Sequence, residues 1–348
     1  MNYLYFVIYM IVGIATALIS YGFLIEPRRL KLIHYKINLT GLPEQWHGRR
    51  IAFLSDIHAG PFYPPSLFAK AVNAVQKQKP DIVLIGGDFV EERTNFKKDG
   101  FRSDYVAELS RLKAPLGSYA IYGNHDTEAS ENRVYVHDLL KDAGITLLAN
   151  EAVNIDGIIL VGLEESYHQK PNLQAALERL KSRENDAGGA KGRDNVQNFR
   201  SGGTTGQDGD QNYGSVDTTG QDAFQGNSYS DILTKHNLPN NHPQNAIEDS
   251  AKRDFNSIIM IHQPDDLPTP EISSDRDLIL SGHSHKGQIT FFGLPLYTVK
   301  GGREHIYGHS RLPGGAQQIT SSGLGMVHIY ARFFAPPEIV IIELNSQK

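Results

Sequence analysis

The chain has 348 residues, 40% of them hydrophobic and 21% charged, enough to bury the core of one large globular domain or two small ones. Its 34 Lys and Arg stand against 39 Asp and Glu, a formal charge of -5, so no strongly basic field is available to hold nucleic acid. Cysteine is absent, which excludes disulfides, zinc–thiolate sites and thiol nucleophiles and leaves His, Asp, Glu and Asn to ligate any metal.

The first element is apolar. From Tyr3 to Ile25 no side chain is charged over 23 residues. As a helix rising about 1.5 Å per residue, this run would cross the roughly 30 Å hydrocarbon core of a bilayer. It lacks the basic start, short apolar run and small-x-small cleavage site of a removable signal peptide. It is also apolar on every face, unlike a buried core helix. Residues 1–26 therefore read as an uncleaved, single-pass membrane anchor. No Lys or Arg precedes the run, whereas Arg28, Arg29, Lys31 and Lys36 come soon after it, and the positive-inside rule places the downstream domain on the cytoplasmic side.

Residues 27–47 read as a juxtamembrane segment and 48–348 as the folded domain. There, short apolar runs alternate with helical patterns. "RRIAFLSD" (49–56), "DIVLIGGD" (81–88) and "GSYAIYGNHD" (117–126) read as strands. "PSLFAKAVNAVQKQ" (65–78) and "NRVYVHDLLKDAG" (132–144) read as helices, the second closed by Gly144. The stretch 145–166 predicts paired strands turning at Asp156-Gly157. Strands follow at 257–262, 277–282 and 338–344. Such alternation argues for a layered α/β domain. One segment breaks it: about 183–250 is rich in Gly, Asn, Gln, Ser and Thr, with "TTGQD" at 204–208 and again at 218–222. It holds too little apolar surface to offset its ordering entropy and reads as a disordered insertion.

Polar clusters close the apolar strands. "LSDIHAG" offers Asp56 and His58, "GGDFV" Asp88, "GNHD" Asn124, His125 and Asp126, "MIHQPD" His262, and "SGHSHKGQ" His283 and His285. In an extended segment, side chains two apart point the same way, so Asp56 with His58, and His283 with His285, would each face one point. The carboxyl edge of an α/β sheet is where ligands bind. Gathering so many ionisable groups there is costly without a metal.

The ordered series "SDIH", "GGDFV", "GNHD", "IHQPD", "SGHSH" resembles the calcineurin-like metallophosphoesterases, from about residue 48 to the C-terminus. "SGHSHKGQI", "SGLG" and "RFFAPPEIVIIEL" are most similar to its membrane-anchored bacterial branch, which commonly has glycine where Lys286 stands. The resemblance implies a four-layered α/β/β/α sandwich and two divalent metal ions. One would be held by Asp56, His58 and His285, the other by Asn124, His262 and His283, with Asp88 bridging both. Such a donor set suits Mn, Fe or Zn. A paired centre can share a hydroxide for in-line attack on phosphorus. It also implies His125 beside the leaving-group oxygen as a catalytic acid, with Asp126 as the candidate partner of its other nitrogen or merely the closure of a turn.

The implied activity is hydrolysis of a phosphodiester or pyrophosphate. A lipid-linked substrate would suit the anchor, and hydrolysis of UDP-2,3-diacylglucosamine in lipid A synthesis is one activity within the branch. A protein-binding scaffold of this fold would be expected to have lost ligands or His125, and all eight positions are present. A protein phosphatase fits less well, because no paired arginines stand near the motifs. His34, His47, His137, His168, His236, His242 and His328 lie outside the ligand motifs and read as surface or core residues. The loop "GGREHIYGHS" (301–310) is placed to bring Arg303, His305 or His309 toward substrate.

Overall fold

The computed structural model describes residues 3–91, 94, 100–189, 254–268 and 274–347. An apolar helix, α1 (Tyr3–Ser20), continues through wider and tighter turns to Arg28. It is long and apolar enough to cross a membrane, and its side chains are almost all exposed.

Two six-stranded sheets face one another. The first contains β1 (Lys31–Thr40), β2 (Arg50–Leu54), β3 (Ile82–Ile85), β4 (Ser118–Ala120), β5 (Thr146–Leu147) and β14 (Glu338–Gln347), in the order β1-β14-β2-β3-β4-β5. The second contains β6 (Glu151–Ile155), β7 (Ile158–Gly162), β8 (Asn256–Met260), β9 (Asp277–Ser281), β12 (Gly308–Arg311) and β13 (Gln317–Thr320), in the order β12-β13-β9-β8-β7-β6. A short hairpin, β10 (Thr290–Phe291) with β11 (Leu294–Pro295), stands apart.

Strand alternation builds the layers. Ile51 and Phe53 of β2, with Ile82 and Leu84 of β3, enter a cluster shared with Leu160, Ile258, Met260, Leu278 and Leu280 of the second sheet. The intervening Ala52, Leu54, Val83 and Ile85 turn outward onto α2 (Pro65–Gln78), α3 (Phe101–Leu109) and α5 (Ser130–Ala143). On the other side, Val161, Ile259 and Ile279 meet Leu173 and Ala176 of α6 (Leu173–Gly189). The result is the expected α/β/β/α sandwich. At about 25 cal/mol per Å² of apolar surface, this double-sided burial is the main force holding the layers together.

Asp156 (φ 47°) and Gly157 (φ 87°) form the anticipated tight turn between β6 and β7, and Gly144 (φ 72°) closes α5 in the left-handed conformation. Three expectations are corrected. Residues 27–47 are not merely juxtamembrane, because β1 pairs in parallel with β14 over ten positions and the folded unit starts before residue 48. The strand expected over 117–126 stops at Ala120, since "GNHD" turns at Gly123 and opens a short helix, α4 (Asn124–Thr127). The start of the segment expected to be disordered from about residue 183 is helical, because α6 runs to Gly189. Its bulk, 190–253, lies outside the described residues.

Candidate metal centre

The carboxyl ends of β2, β3, β8 and β9 and the loop after β4 all open at one edge of the sandwich. Beyond each strand the chain turns sharply. Asp56, His58, Asp88, His283 and His285 adopt φ of 52°, 44°, 55°, 68° and 50°, a region that costs non-glycine residues roughly 1–3 kcal/mol each. The same-face reasoning for extended residues therefore does not apply, although its outcome does. The side chains converge because left-handed turns aim them, and such strain collects where surrounding structure over-determines a site.

Asp56, His58 and His285 place potential ligand atoms within 4.8 Å of one another, as do Asp88, His262 and His283, and also His58, Asp88 and His125. His58 Nε2 lies 3.0 Å from His285 Nε2 and 3.5 Å from Asp88 Oδ2. Asp88 Oδ2 is 3.1 Å from His262 Nε2, and Asp56 Oδ1 is 3.5 Å from His285 Nε2. Asn124 Oδ1 accepts from Gln263 Nε2 at 3.4 Å, and Asp88 Oδ1 from the His125 amide at 2.9 Å. Backbone carbonyls set the rings. His262 Nδ1 donates to Gly86 O at 2.7 Å, leaving Nε2 for the cluster, and His283 Nε2 donates to Lys300 O at 2.8 Å, leaving Nδ1.

Close backbone approach is part of the construction. A Cβ at Gly123 would collide with the Asp88 carboxylate, and one at Gly282 with Asp56 and Ser55. Glycine is required at both.

The donors fit a metal centre. All are buried, and His262 Nε2, His58 Nδ1 and His125 Nδ1 make no hydrogen bond, an arrangement that is costly for buried polar atoms lacking another partner. Burial pushes His58 down to about 3, His283 to about 4 and His285 well below the usual imidazole range, so all three are neutral bases. Burial raises Asp56 to about 6, with the His262 charge opposing and the Asp88 charge adding. Against the lowering effect of burial, the Asp88 and Asp56 carboxylates raise His262 to about 10, so that ring must give up a proton to a metal ion. The three neutral imidazoles among carboxylates, with no thiolate, suit borderline and hard divalent cations.

His125 belongs to the same cleft. Its ring stands 5.1 Å from that of His58, and its Nδ1 is 3.7 Å from Glu128 Oε2. Asp126 has another task. One carboxylate oxygen accepts from the amides of Phe89 and Val90 at 2.8 and 3.2 Å, and the other from Gly123 N at 2.9 Å. No hydrogen bond or ion pair joins it to the His125 ring among the described contacts. Of the two tasks open to Asp126, the described contacts are those of turn closure, extended into a tie between the "GNHD" turn and the "GGDFV" loop. Adjacent side chains on a helical turn diverge, and the buried amides compete for the same oxygens.

The sequence missed several neighbours. His328, set aside as surface or core, lies 6.4 Å from the His125 ring and shares a cavity wall with His285. Tyr167 brings its hydroxyl to 3.1 Å from His283 Nε2. Arg332 is fully buried, its Nη2 3.3 Å from His285 Nδ1 and bonded to the Ser322 and Gly325 carbonyls. "RFFAPPE" marked the segment but gave no sign of that task. In the 301–310 loop, the amides of Arg303 and His305 bind Asp265, His305 meets Ser310, and His309 meets Gln317, so their described contacts are local. Lys286 has φ 57°, which accounts for glycine being common there. Its ammonium lies 4.3 Å over the Tyr307 ring rather than reaching toward the ligands.

Fold and cluster together define a metal-dependent hydrolase of the layered α/β type. Residues 49–287 match the model of the calcineurin-like phosphoesterases, more than half of the chain, and the protein belongs to that family. It is a metal-dependent phosphoester hydrolase. Its relatives include an uncharacterized metallophosphoesterase of Helicobacter pylori J99, 25% identical over 96% of this chain and 70% of that one. YkuE of Bacillus subtilis, another uncharacterized metallophosphoesterase, is 23% identical over 96% and 93%. The phosphodiesterase YaeI of Escherichia coli is 35% identical over 37% and 46%. A solved dimetal phosphatase from Danio rerio aligns at 14% identity over 82% of this chain and 91% of that one, with a TM-score of 0.35.

Proposed function

We propose that this protein is a membrane-anchored, two-metal phosphodiesterase or pyrophosphatase acting on a lipid-linked phosphoester. The observation that carries the reading is the convergence of six buried donors, Asp56, His58, Asp88, His262, His283 and His285, at one sheet edge, with Asn124 buried in the adjoining turn and bonded to Gln263. In this assignment Asp56, His58 and His285 would hold one ion and Asn124, His262 and His283 the other, with Asp88 available to both. Bound there, the ions would neutralise phosphoryl charge and acidify a water.

The chain's own residues supply the rest. His125, at the lip of the cluster and within reach of the Glu128 carboxylate, delivers a proton to the leaving oxygen. Gly86 O and Lys300 O orient the His262 and His283 rings so that Nε2 of the first and Nδ1 of the second face the cluster. The name of the Escherichia coli relative supports a diester. The exposed apolar α1 supports a membrane setting, and the basic residues after it support a cytoplasmic domain. UDP-2,3-diacylglucosamine is the favoured substrate within that class.

Metal analysis of chelator-free protein after reconstitution should approach two transition-metal ions per chain. Such protein should hydrolyse diesters, pyrophosphate-linked nucleotides and lipid-linked substrates in preference to phosphopeptides. A metal content near zero would sink the two-metal reading, and phosphopeptide preference the substrate class.

A further inference from the structure

The segment from Gly287 to Val299, "GQITFFGLPLYTV", contains no charged side chain and is bracketed by Lys286 and Lys300. It folds as the β10–β11 hairpin, turning at Phe292 (φ 50°) and Gly293 (φ 85°). With only two residues per strand, it cannot bury its own apolar surface. Phe292 is 87% exposed, Leu294 73% and Leu296 70%. A contiguous apolar projection of this kind on a soluble surface marks a contact site.

Its placement identifies the contact. The hairpin is fastened to the segment 331–334, with Thr290 N donating to Phe333 O at 2.8 Å and Phe333 N to Gln288 O at 3.0 Å. The end of the apolar N-terminal helix is fastened to the same segment. Arg332 N donates to Gly22 O at 3.0 Å, and the Tyr21 and Phe333 rings meet edge to face at 5.9 Å. Two adjacent residues thus carry the helix exit and the hairpin. Phe334, beside them, is exposed as well, and Arg28 and Lys70 line a hollow next to Phe23 and Phe62 at the helix exit. Cations at a helix exit beside aromatic and aliphatic tips is the pattern of a headgroup-level surface.

We infer that the β10–β11 hairpin is a second membrane contact, its tip seated in the interfacial layer of the bilayer face that the N-terminal helix leaves. This rests on the membrane-anchored reading proposed for the chain. An apolar cavity of about 400 Å³ lies between the hairpin and His285, lined by Ile289, Leu296, Val299, Val327 and His328. A seated hairpin turns that cavity toward the lipid, so the apolar chain of a membrane-resident phosphoester can enter it beside the ligand cluster.

The test uses the full chain in phosphatidylcholine–phosphatidylglycerol vesicles. The sole tryptophan, Trp46, is fully buried, so Phe292→Trp adds one exposed reporter at a position that already tolerates an aromatic ring. Its added emission should be blue-shifted relative to water, and lipids brominated on the acyl chain should quench it by about twofold or more. The parent protein's Trp46 signal should stay unquenched. Protein that floats with the vesicles but whose added tryptophan emits as in water, unquenched, would overturn the hairpin contact alone and assign the surface to a protein partner, a second copy or residues 190–253. Protein that fails to float would overturn the anchor reading and the contact together.

Discussion

Asp126→Asn separates a structural tie from a catalytic partner. The carboxylate takes three buried amides, those of Phe89, Val90 and Gly123. Burial and the Asp88 charge push its pKa up to about 7, while the Gly123 and Val90 amides pull it down. Only donors face it, so its ionised form is the one these bonds use, and the test is best run at pH 8. In the variant one oxygen can still serve Phe89 and Val90, but the new NH₂ confronts the Gly123 N–H. Two buried donors are then left without acceptors, at roughly 1–3 kcal/mol each. A total loss of about 2–6 kcal/mol corresponds to a fall in Tm of roughly 3–10 °C for a domain of this size. Metal affinity should weaken too, because the tie holds the loop that carries Asp88. The dependence of the remaining rate on leaving-group pKa should not change. Thermal unfolding of detergent-solubilised, metal-loaded protein gives the first quantity, and a series of aryl and alkyl phosphodiesters gives the second. An unchanged Tm with a steepened leaving-group dependence would refute the reasoning and restore Asp126 as the partner of His125.

Asp88→Asn should lower the content of both ions and reduce hydrolysis to background, since a neutral amide bridges two cations poorly; titration calorimetry showing two undiminished sites would contradict the shared-carboxylate assignment. His125→Ala should leave metal content nearly unchanged while slowing turnover on the order of 10²–10⁴-fold, with a smaller loss for p-nitrophenolate than for alkoxide leaving groups. Equal losses on both classes would remove it from the proton-transfer role. Metal-free protein should lose stability as the pH is lowered from 6 to 5. His58, His283 and His285 stay neutral in the fold, with pKa values held down to about 3, about 4 and well below the usual range, whereas the unfolded chain protonates all three. Asp56 and Asp126, raised to about 6 and about 7, take up protons only in the folded state and offset two of these. His262, raised to about 10 by Asp88 and Asp56 against burial, is protonated in the fold and mostly protonated in the unfolded chain over this range. The unfolded state therefore binds about one proton more, which costs the fold roughly 1.4 kcal/mol per pH unit. A Tm that stays level or rises over that range, in protein treated with chelator, would show that the buried imidazoles are not held neutral.

The strands that carry the ligands were legible because each is a short, wholly apolar run ending in Gly, Asp, Asn or His. Burial on both faces dictates that pattern in a sheet covered by helices or by a second sheet. The candidate donors were legible for a related reason: several ionisable side chains ending successive apolar strands are costly to bury singly, and the fold brings Asp56, His58, Asp88, His262, His283 and His285 together. β1 was not, since "KLIHYKINLT" is half exposed and its hydrogen-bonding partner lies some 300 residues away, at the other end of the chain. Nor could the sequence choose between two tasks for Asp126. Both need a carboxylate at that position, and only the fold decides that the amides of Phe89, Val90 and Gly123 reach it. Convergence itself belonged to tertiary structure. The sequence named the donors, but left-handed turns at Asp56, His58, Asp88, His283 and His285, stabilised by two sheets meeting at one edge, turned them toward a common point. His328, Tyr167 and Arg332 reach the site from segments with no local signature, because a side chain's neighbours across space are set by packing and not by the residues beside it in the chain.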